Sequence, residues 1–361
     1  MRGSTICGIC GKFQPARSIA RSNLPAGMSS HRISEERCEP DWMIGVDIGG
    51  TKIAAGLVTG RGEIGRYVRA PMNPSGTAAE GFAAVTSVLD DLLRELSEDQ
   101  NAKAIPIGIC APGPLDPVTG IVLNPPNVPC WRNFPLTSEI QGRYGTKARL
   151  DNDANAAALA ESLWGAGRGY RNVFYACVGT GIGTGIVLDG KIFHGRTGSA
   201  AEGGHVTIDY RGPTCNCGKK GCIEALASGT AIARRARELA STDLQLGSHI
   251  LALANGEPAA IRSEMVGTAE RSGDPGARQI VSDTVEFMAA WLGNIIDLLE
   301  PEVMILGGGV SEMLIPHFGE LQSRLKSWCV NARCGEIPLM RAHYGENSGI
   351  AGGAALCCTA D

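Results

Sequence analysis

From Trp42 onward the chain alternates short apolar runs with glycine-rich turns, and these signals predict its elements. MIGVDIGG (43–50) is a short apolar strand ending in a glycine turn, and TKIAAGLVT (51–59) reads as its hairpin partner. Residues 77–97 carry apolar positions at helical spacing. AIPIGICAPGPLD (104–116) is a buried strand leading into a Pro/Gly loop. KARLDND (147–153) is a strand, followed directly by the Ala-rich helix ANAAALAESLWG (154–165). NVFYACVGTGIGTGIVLDG (172–190) repeats the strand, glycine turn, strand pattern of the opening. The chain is then mostly helical after residue 224, through 299. EVMILGGGV (302–310) is a late strand followed by a helix, and GENSGIAGGAALCC (345–358) closes as a small-residue helix. Two similar hairpin openings, near 47 and near 179, predict two related α/β lobes with a cleft between them.

Residues 1–41 break this pattern: they are polar, hold Cys7, Cys10 and Cys38, and show no sustained periodicity. They are expected to be a poorly structured extension, with Met28 and Met43 as alternative starts. The Cys7-x-x-Cys10 pair fits half a zinc knuckle, a redox pair or no function.

Composition narrows the class. The 361 residues suffice for two ordinary domains, and 43% hydrophobic against 19% charged residues is the balance of a soluble globular protein. A net charge of −4 gives no sign of a nucleic-acid surface. No window approaches the ~18 apolar residues of a membrane span. Thirteen cysteines in so long a chain, with no secretory signal, argue against a disulfide scaffold, so a reducing cytoplasm is the expected compartment. Cys110 and Cys177 sit in apolar runs and read as buried small hydrophobes.

The densest chemistry lies in EGGHVTIDYRGPTCNCGKKGCIE (202–224). His205, Cys215, Cys217 and Cys222 are zinc-ligand types within a short span, and a closed Cys₃His set is a structural site. Zinc accounts for them better than a buried thiol cluster or disulfides. Glu202 and Glu224 bracket the cluster without being needed as ligands, so the metal would act as a scaffold that aims Glu202, His205 and Glu224.

Two glycine turns suit phosphate. In Asp47-Ile-Gly-Gly-Thr-Lys52, Gly49 and Gly50 allow backbone N–H groups to approach phosphate oxygens, Thr51 and Lys52 add donors, and Asp47 can hold Mg²⁺ through its waters. Gly179-Thr-Gly-Ile-Gly-Thr-Gly185, with Thr180 and Gly181, is the second such loop; it lacks the ending of a Walker A loop and the following helix of a Rossmann fingerprint. Gly308, within LGGGV (306–310), follows a strand and suits a nucleoside against backbone. Asn152-Asp153-Ala154-Asn155 stands at the start of a helix, where one Asp or Asn serves as N-cap. A carboxylate there also suits a general base, and the residues alone leave capping and catalysis evenly matched. Asn124-Pro-Pro-Asn127 lies in a rigid turn able to present amides to a polyol, although Asn-Pro is also ordinary turn chemistry.

In this order, DIGGTK (47–52), LNPPN (123–127), NDAN (152–155), VGTGIGTGI (178–186), EGGH with CNCGKKGC (202–222) and LGGGV (306–310) resemble the ROK family of sugar kinases, over nearly all of residues 43–358. The resemblance implies an actin-like ATPase (ribonuclease H-like) fold of two α/β lobes. Residues 42–151, completed by a helix in 346–361, would form the small lobe, and 152–345 the large lobe with its zinc segment 202–224. It implies ATP with Mg²⁺ as phosphoryl donor and Asp153 as the base toward the 6-OH of a hexose. Asn152, Asp153, Glu202, His205 and Glu224, with Gly113 and Asn127, would bind sugar hydroxyls, His205 doubling as zinc ligand. Asp47, Gly49, Gly50, Thr51, Lys52, Thr180 and Gly181 would hold phosphates, and Gly308 the adenosine side. Glucose is the first expectation, from the likeness of LNPPN and Trp131 to glucokinase members. N-acetylmannosamine, N-acetylglucosamine, mannose, fructose and allose are alternatives handled by relatives. Some relatives are sugar-responsive repressors, but no helix-turn-helix or basic helix stands before Asp47, so no nucleic-acid partner is expected. A cytoplasmic homodimer with a role in glycolysis completes what the resemblance implies.

Overall fold

The computed structural model describes residues 40–94 and 105–359; the expectations for Cys7, Cys10, Cys38 and nearly all of 1–41 lie outside these. Each half of the molecule starts as the apolar runs dictate, with a buried strand that turns back on itself at glycines. Strand β1 (Trp42–Ile48) pairs antiparallel with β2 (Lys52–Thr59), Asp47 opposite Ala54. Strand β3 (Ile64–Pro71) extends this meander at the edge. No strand was expected there, because an edge strand needs little apolar pattern: most of its residues face solvent, and it ends in a proline.

Helix α1 (Ala78–Leu93) is set by a capping box in which Thr77 and Glu80 satisfy each other's backbone N–H. Strand β4 (Ile107–Ala111), buried at every residue, runs parallel to β1. A small ladder of β5 (Leu115–Asp116) and β6 (Ile121–Val122) follows the cis Gly113–Pro114 bond. Helix α2 (Leu136–Tyr144) is a further element absent from the sequence reading; it buries only Leu136 and Ile140, too few for a clear helical stripe. Strand β7 (Ala148–Asn152) then adds parallel to β4, giving the sheet order β3-β2-β1-β4-β7.

The second half reuses the plan. After α3 (Asp153–Leu163), β8 (Val173–Val178) and β9 (Ile182–Leu188) form a hairpin with β10 (Lys191–Ile192) outside it. Helices α4 (Ile223–Ala227), α5 (Gly229–Thr242), α6 (Leu244–Leu253), α7 (Ser263–Arg271) and α8 (Pro275–Leu299) follow. Strand β11 (Val303–Gly307) lies parallel to β8 and, after α9 (Gly309–Leu314) and α10 (Phe318–Leu325), β12 (Leu339–Arg341) lies parallel to β11. The order β10-β9-β8-β11-β12 matches the first sheet strand for strand. Helix α11 (Ser348–Leu356) ends the ordered core. No helix of the described residues is long and apolar enough to cross a membrane.

The two lobes meet through α3 and α11. Helix α11 lies on β1 and β4, α3 lies on β8 and β9, and the helices pack on each other. Their closeness requires bare backbone: a Cβ at Gly45 would stand 1.8 Å from Ile350 O, and one at Gly108 1.8 Å from Gly353 O. These glycines inside strands therefore mark where a helix rests on the sheet.

A fully buried carboxylate ties the chain crossings together. Glu161, near the end of α3, accepts hydrogen bonds from Ala166 N (2.8 Å), His343 N (2.7 Å) and Tyr344 N (3.1 Å). The first donor lies between α3 and β8, the others between β12 and α11, so one side chain pins both passages between lobes. Charge-assisted bonds to backbone donors are the strong kind, and unmaking them leaves buried N–H groups unsatisfied. Glu161→Gln should therefore lower stability by about 3 kcal/mol in urea denaturation; a change within experimental error would show that Glu161 does not hold the crossings.

Candidate active site

The β1–β2 and β8–β9 turns occupy equivalent places in the two lobes. In the first, Gly49 N donates to Lys52 O (2.9 Å), and Thr51 and Lys52 are exposed. Gly50 faces the loop expected to hold sugar: a Cβ there would stand 2.8 Å from Asn127 O. In the second turn, Gly179 N donates to Gly181 O (2.9 Å). The turn is docked on the start of α5, where Gly229 N donates to Gly179 O (2.8 Å) and the Thr230 hydroxyl to Thr180 O (2.8 Å). Thr180 itself stays exposed. Gly308 takes a φ of +88°, and a Cβ there would meet Val178 O at 2.5 Å, so the end of β11 closes against the strand leading into this turn.

Of the two neighbours, Asn152 is the one that caps the helix. Asn152 is the N-cap of α3, its side chain accepting from Ala154 N and Asn155 N. Asp153 is released from capping; it occupies the first turn, one oxygen accepting from Ala154 N (2.8 Å). Its side chain is exposed to solvent, yet enough of the protein crowds around the carboxylate to penalise its charge. Its pKa is raised to about 6, chiefly by desolvation and in part by the charge on Asp47, against the lowering influence of the Ala154 N–H and the Asn152 side chain. Gly113 lies beside the cap, a Cβ there standing 3.8 Å from Asn152 Nδ2.

Asp47 is enclosed from behind. Its pKa is raised by burial, against the lowering influence of Cys110, Lys52 and Arg69. Cys110 Sγ lies 3.7 Å from Asp47 Oδ1 and 3.2 Å from Gly349 O. Gly349, at the start of α11, leaves no room for more: a Cβ would stand 2.2 Å from Asp47 Cγ. Cys110 is fully buried as its apolar run predicts, whereas Cys177 is only half-buried.

The Cys/His segment wraps into a knot. Bridges pair Thr207 with Cys222 and Thr214 with Lys220, and Gly218 and Gly221 take φ of +89° and +62°. The ligating atoms of His205, Cys215, Cys217 and Cys222 lie within 4.8 Å of one another. His205 Nδ1 is 3.6 Å from Cys215 Sγ, and Cys217 Sγ is 3.6 Å from Cys222 Sγ. A tetrahedral zinc with bonds of roughly 2.3 Å to sulfur and 2.0 Å to nitrogen needs edges of about 3.8 and 3.6 Å. The four residues fit that metal.

Glu224 joins this knot to the second glycine turn. Its Oε2 accepts from Ile182 N (2.9 Å), and its Oε1 lies 3.7 Å from Cys215 Sγ and 3.9 Å from His205 Nδ1. Glu224 lies close against the turn: a Cβ at Gly181 would stand 2.6 Å from its Oε2. Glu202 is exposed on the same wall. Its backbone is fixed by Thr184, which donates to Ala201 O and accepts from Gly203 N (2.8 Å), and by Trp291 Nε1 donating to Gly203 O (3.0 Å). Thr184 was visible only as a loop threonine, with no sign of its partners.

A two-lobed α/β protein whose two matching five-stranded sheets each open with a hairpin at a glycine turn belongs to the actin-like ATPase class of fold. Within it, a sequence profile described as "ROK family" matches residues 43–360. Glucokinase from Thermotoga maritima is 37% identical over 314 residues, 87% of this chain and 96% of that protein. N-acetylmannosamine kinase from Salmonella typhi is 31% identical over 268 residues, 74% of this chain and 82% of that protein. A ROK family glucokinase from Streptomyces griseus, solved with glucose and AMPPNP, superposes with a TM-score of 0.73 at 33% identity, covering 87% of this chain and 98% of that one. The chain belongs to the ROK family.

A raised carboxyl pKa has a consequence for stability. Asp153 binds its proton more tightly folded than unfolded, so its contribution is complete below pH 3.8 and is lost as pH rises through about 6. Asp153→Asn is expected to melt no lower than wild type at pH 7.5 in calorimetry, and ¹³C NMR should find a carboxyl titrating near 6. A clearly lower melting point would place Asp153 in a stabilising pair instead.

Proposed function

We propose that the protein is an ATP-dependent hexose kinase that phosphorylates the 6-OH of glucose with Asp153 as general base. The observation that carries this reading is the carboxylate of Asp153, free of capping duty, with a pKa raised to about 6 in the cleft between two phosphate-type turns. A general base works best with a pKa near the operating pH, and phosphoryl transfer asks little else beyond positioning and charge neutralisation. Asp153 would take the hydroxyl proton as the 6-oxygen attacks the terminal phosphorus and ADP leaves.

The remaining residues fall into two groups around it. Asp47, Gly49, Gly50, Thr51, Lys52, Thr180 and Gly181 would hold the phosphates and Gly308 the adenosine. Mg²⁺, held through water by Asp47, would supply charge neutralisation to the phosphates. Gly113, Asn127, Asn152, Glu202, His205 and Glu224 would read sugar hydroxyls. His205, with Nδ1 toward the cysteines, would serve a structural zinc and face the sugar with its other edge. Residues 42–151 with the C-terminal helix, and 152–345, would close as the two jaws. Glucose is supported by the 37% identical Thermotoga maritima glucokinase. An N-acetylhexosamine is the second reading, supported by the 31% identical N-acetylmannosamine kinase. The family resemblance is the support for a cytoplasmic homodimer.

A coupled ADP-release assay over a panel of hexoses and N-acetylhexosamines should give the highest kcat/KM with glucose; a higher value for N-acetylmannosamine would select the second reading. Asp153→Asn should cut kcat by roughly 10²–10⁴-fold, and a rate near wild type would refute the base assignment. In wild type, kcat/KM should fall as pH drops below about 6, where Asp153 is protonated. Chelating the zinc should lower the melting temperature and raise the glucose KM, as loss of a scaffold does; verified zinc-free protein with unchanged properties would contradict the structural role.

A further inference from the structure

The segment 193–202, between β10 and Glu202, is fastened at both ends. At its far end Thr184 holds Ala201 and Gly203, fixing the backbone on either side of Glu202. At its near end His194 Nε2 lies 2.5 Å from Asp151 Oδ2. Asp151 is a buried carboxylate at the end of β7, two residues before Asp153. Its other oxygen is already engaged, accepting from Asn152 N (2.7 Å) and Asn155 Nδ2 (3.1 Å). The same carboxylate therefore orients the cap residue Asn152, the first turn of α3 and His194. Between its fastenings the segment reaches the other lobe: a Cβ at Gly198 would stand 3.0 Å from Pro117 Cδ and 3.8 Å from Leu115 O, beside β5. It is a strap across the cleft, exposed along most of its length, which returns to the wall at Glu202.

We propose that His194 is a positioning residue for the sugar: paired with Asp151, it latches this strap to the strand that leads into Asp153, and so holds Glu202 against the bound hexose. The inference rests on the kinase reading above and deepens its sugar site. A strap of this length that is closed but unlatched would pay its ordering entropy on every binding event, whereas a latched one is ordered beforehand. His194 touches no substrate atom in this scheme; it acts through Glu202.

The latch is sensitive to pH in a defined direction. The hydrogen bond from His194 to Asp151 raises the His194 pKa above its ordinary 6.5, its charge adds to this, and partial burial opposes both. Asp151, from β7, is the charged group acting on His194 among the described residues; α3 presents the neutral Asn155 to the same carboxylate. A histidine whose pKa is raised by folding contributes fully below 6.5 and loses that contribution as pH rises through the raised value. Hexose affinity should therefore weaken on the alkaline side, opposite to the acid-side loss of turnover set by Asp153.

The test is steady-state kinetics of full-length wild type, His194→Ala and His194→Gln from pH 6 to 9, with hydrogen exchange of the strap. Loss of one charge-assisted hydrogen bond predicts a hexose KM raised roughly ten- to hundredfold in His194→Ala, with kcat changed less than about threefold and the KM for ATP unchanged. His194→Gln keeps an N–H donor of similar reach without a titrating charge, so it should recover much of the affinity and lose the alkaline weakening. Peptides covering 193–202 should exchange faster in His194→Ala. An unchanged hexose KM and unchanged strap exchange in His194→Ala would overturn the latch, as would an alkaline KM dependence that survives in His194→Gln. A wild-type protein that phosphorylates no hexose refutes the kinase reading instead, and strap exchange in His194→Ala then still decides whether the latch exists.

Discussion

Backbone lies against backbone where α11 rests on the first sheet, and the geometry of the cleft follows from that contact. Gly45 and Gly108 remove the side chains that would hold the helix off. With α11 seated, Gly349 closes against Asp47 and leaves its carboxylate partly desolvated. Asp47 in turn adds to the pKa of Asp153. Gly352 sits against Ala156 of α3, so the helix that carries Asp153 is positioned by the same contact. A packing requirement in two strands thus reaches the protonation state of a carboxylate in the other lobe. Interiors packed this closely transmit small changes in this way, because there is no slack to absorb them.

The Cys/His knot serves the opposite wall. It holds His205 with Nδ1 turned toward Cys215, and Glu224 spanning from the thiols to the N–H of Ile182. The second glycine turn is thereby connected to the Cys/His segment through one carboxylate. On the first lobe Gly50 likewise rests on the Asn127 carbonyl. Each phosphate-type turn thus touches a residue assigned to the sugar, a suitable arrangement for a transfer in which both substrates must be aligned before the proton moves.

Much of this was legible in the chain because its signals are local. Glycine turns between apolar strands, three cysteines within eight residues and an Asn-Asp pair before an alanine-rich run announce themselves at short range. What stayed hidden depends on partners distant in sequence. Glu161 looks like one more polar residue on a helix until His343 and Tyr344 arrive to donate to it. Asp151 reads as a strand end, and His194 as a loop residue, until folding brings them together. Strand β3 was missed because an edge strand needs little apolar pattern, and α2 because it buries too little. Which of Asn152 and Asp153 caps the helix was hidden too, since either type can do so.

The central claim is that the cleft moves a phosphoryl group from ATP to a hexose hydroxyl selected by Asp153. Phosphorus NMR of a mixture of the protein, glucose and Mg·ATP tests it most directly, because it identifies the acceptor atom. A phosphomonoester on the 6-oxygen should form in step with ADP, and almost none with Asp153→Asn. Inorganic phosphate without a sugar ester, or an ester on another oxygen, would contradict it.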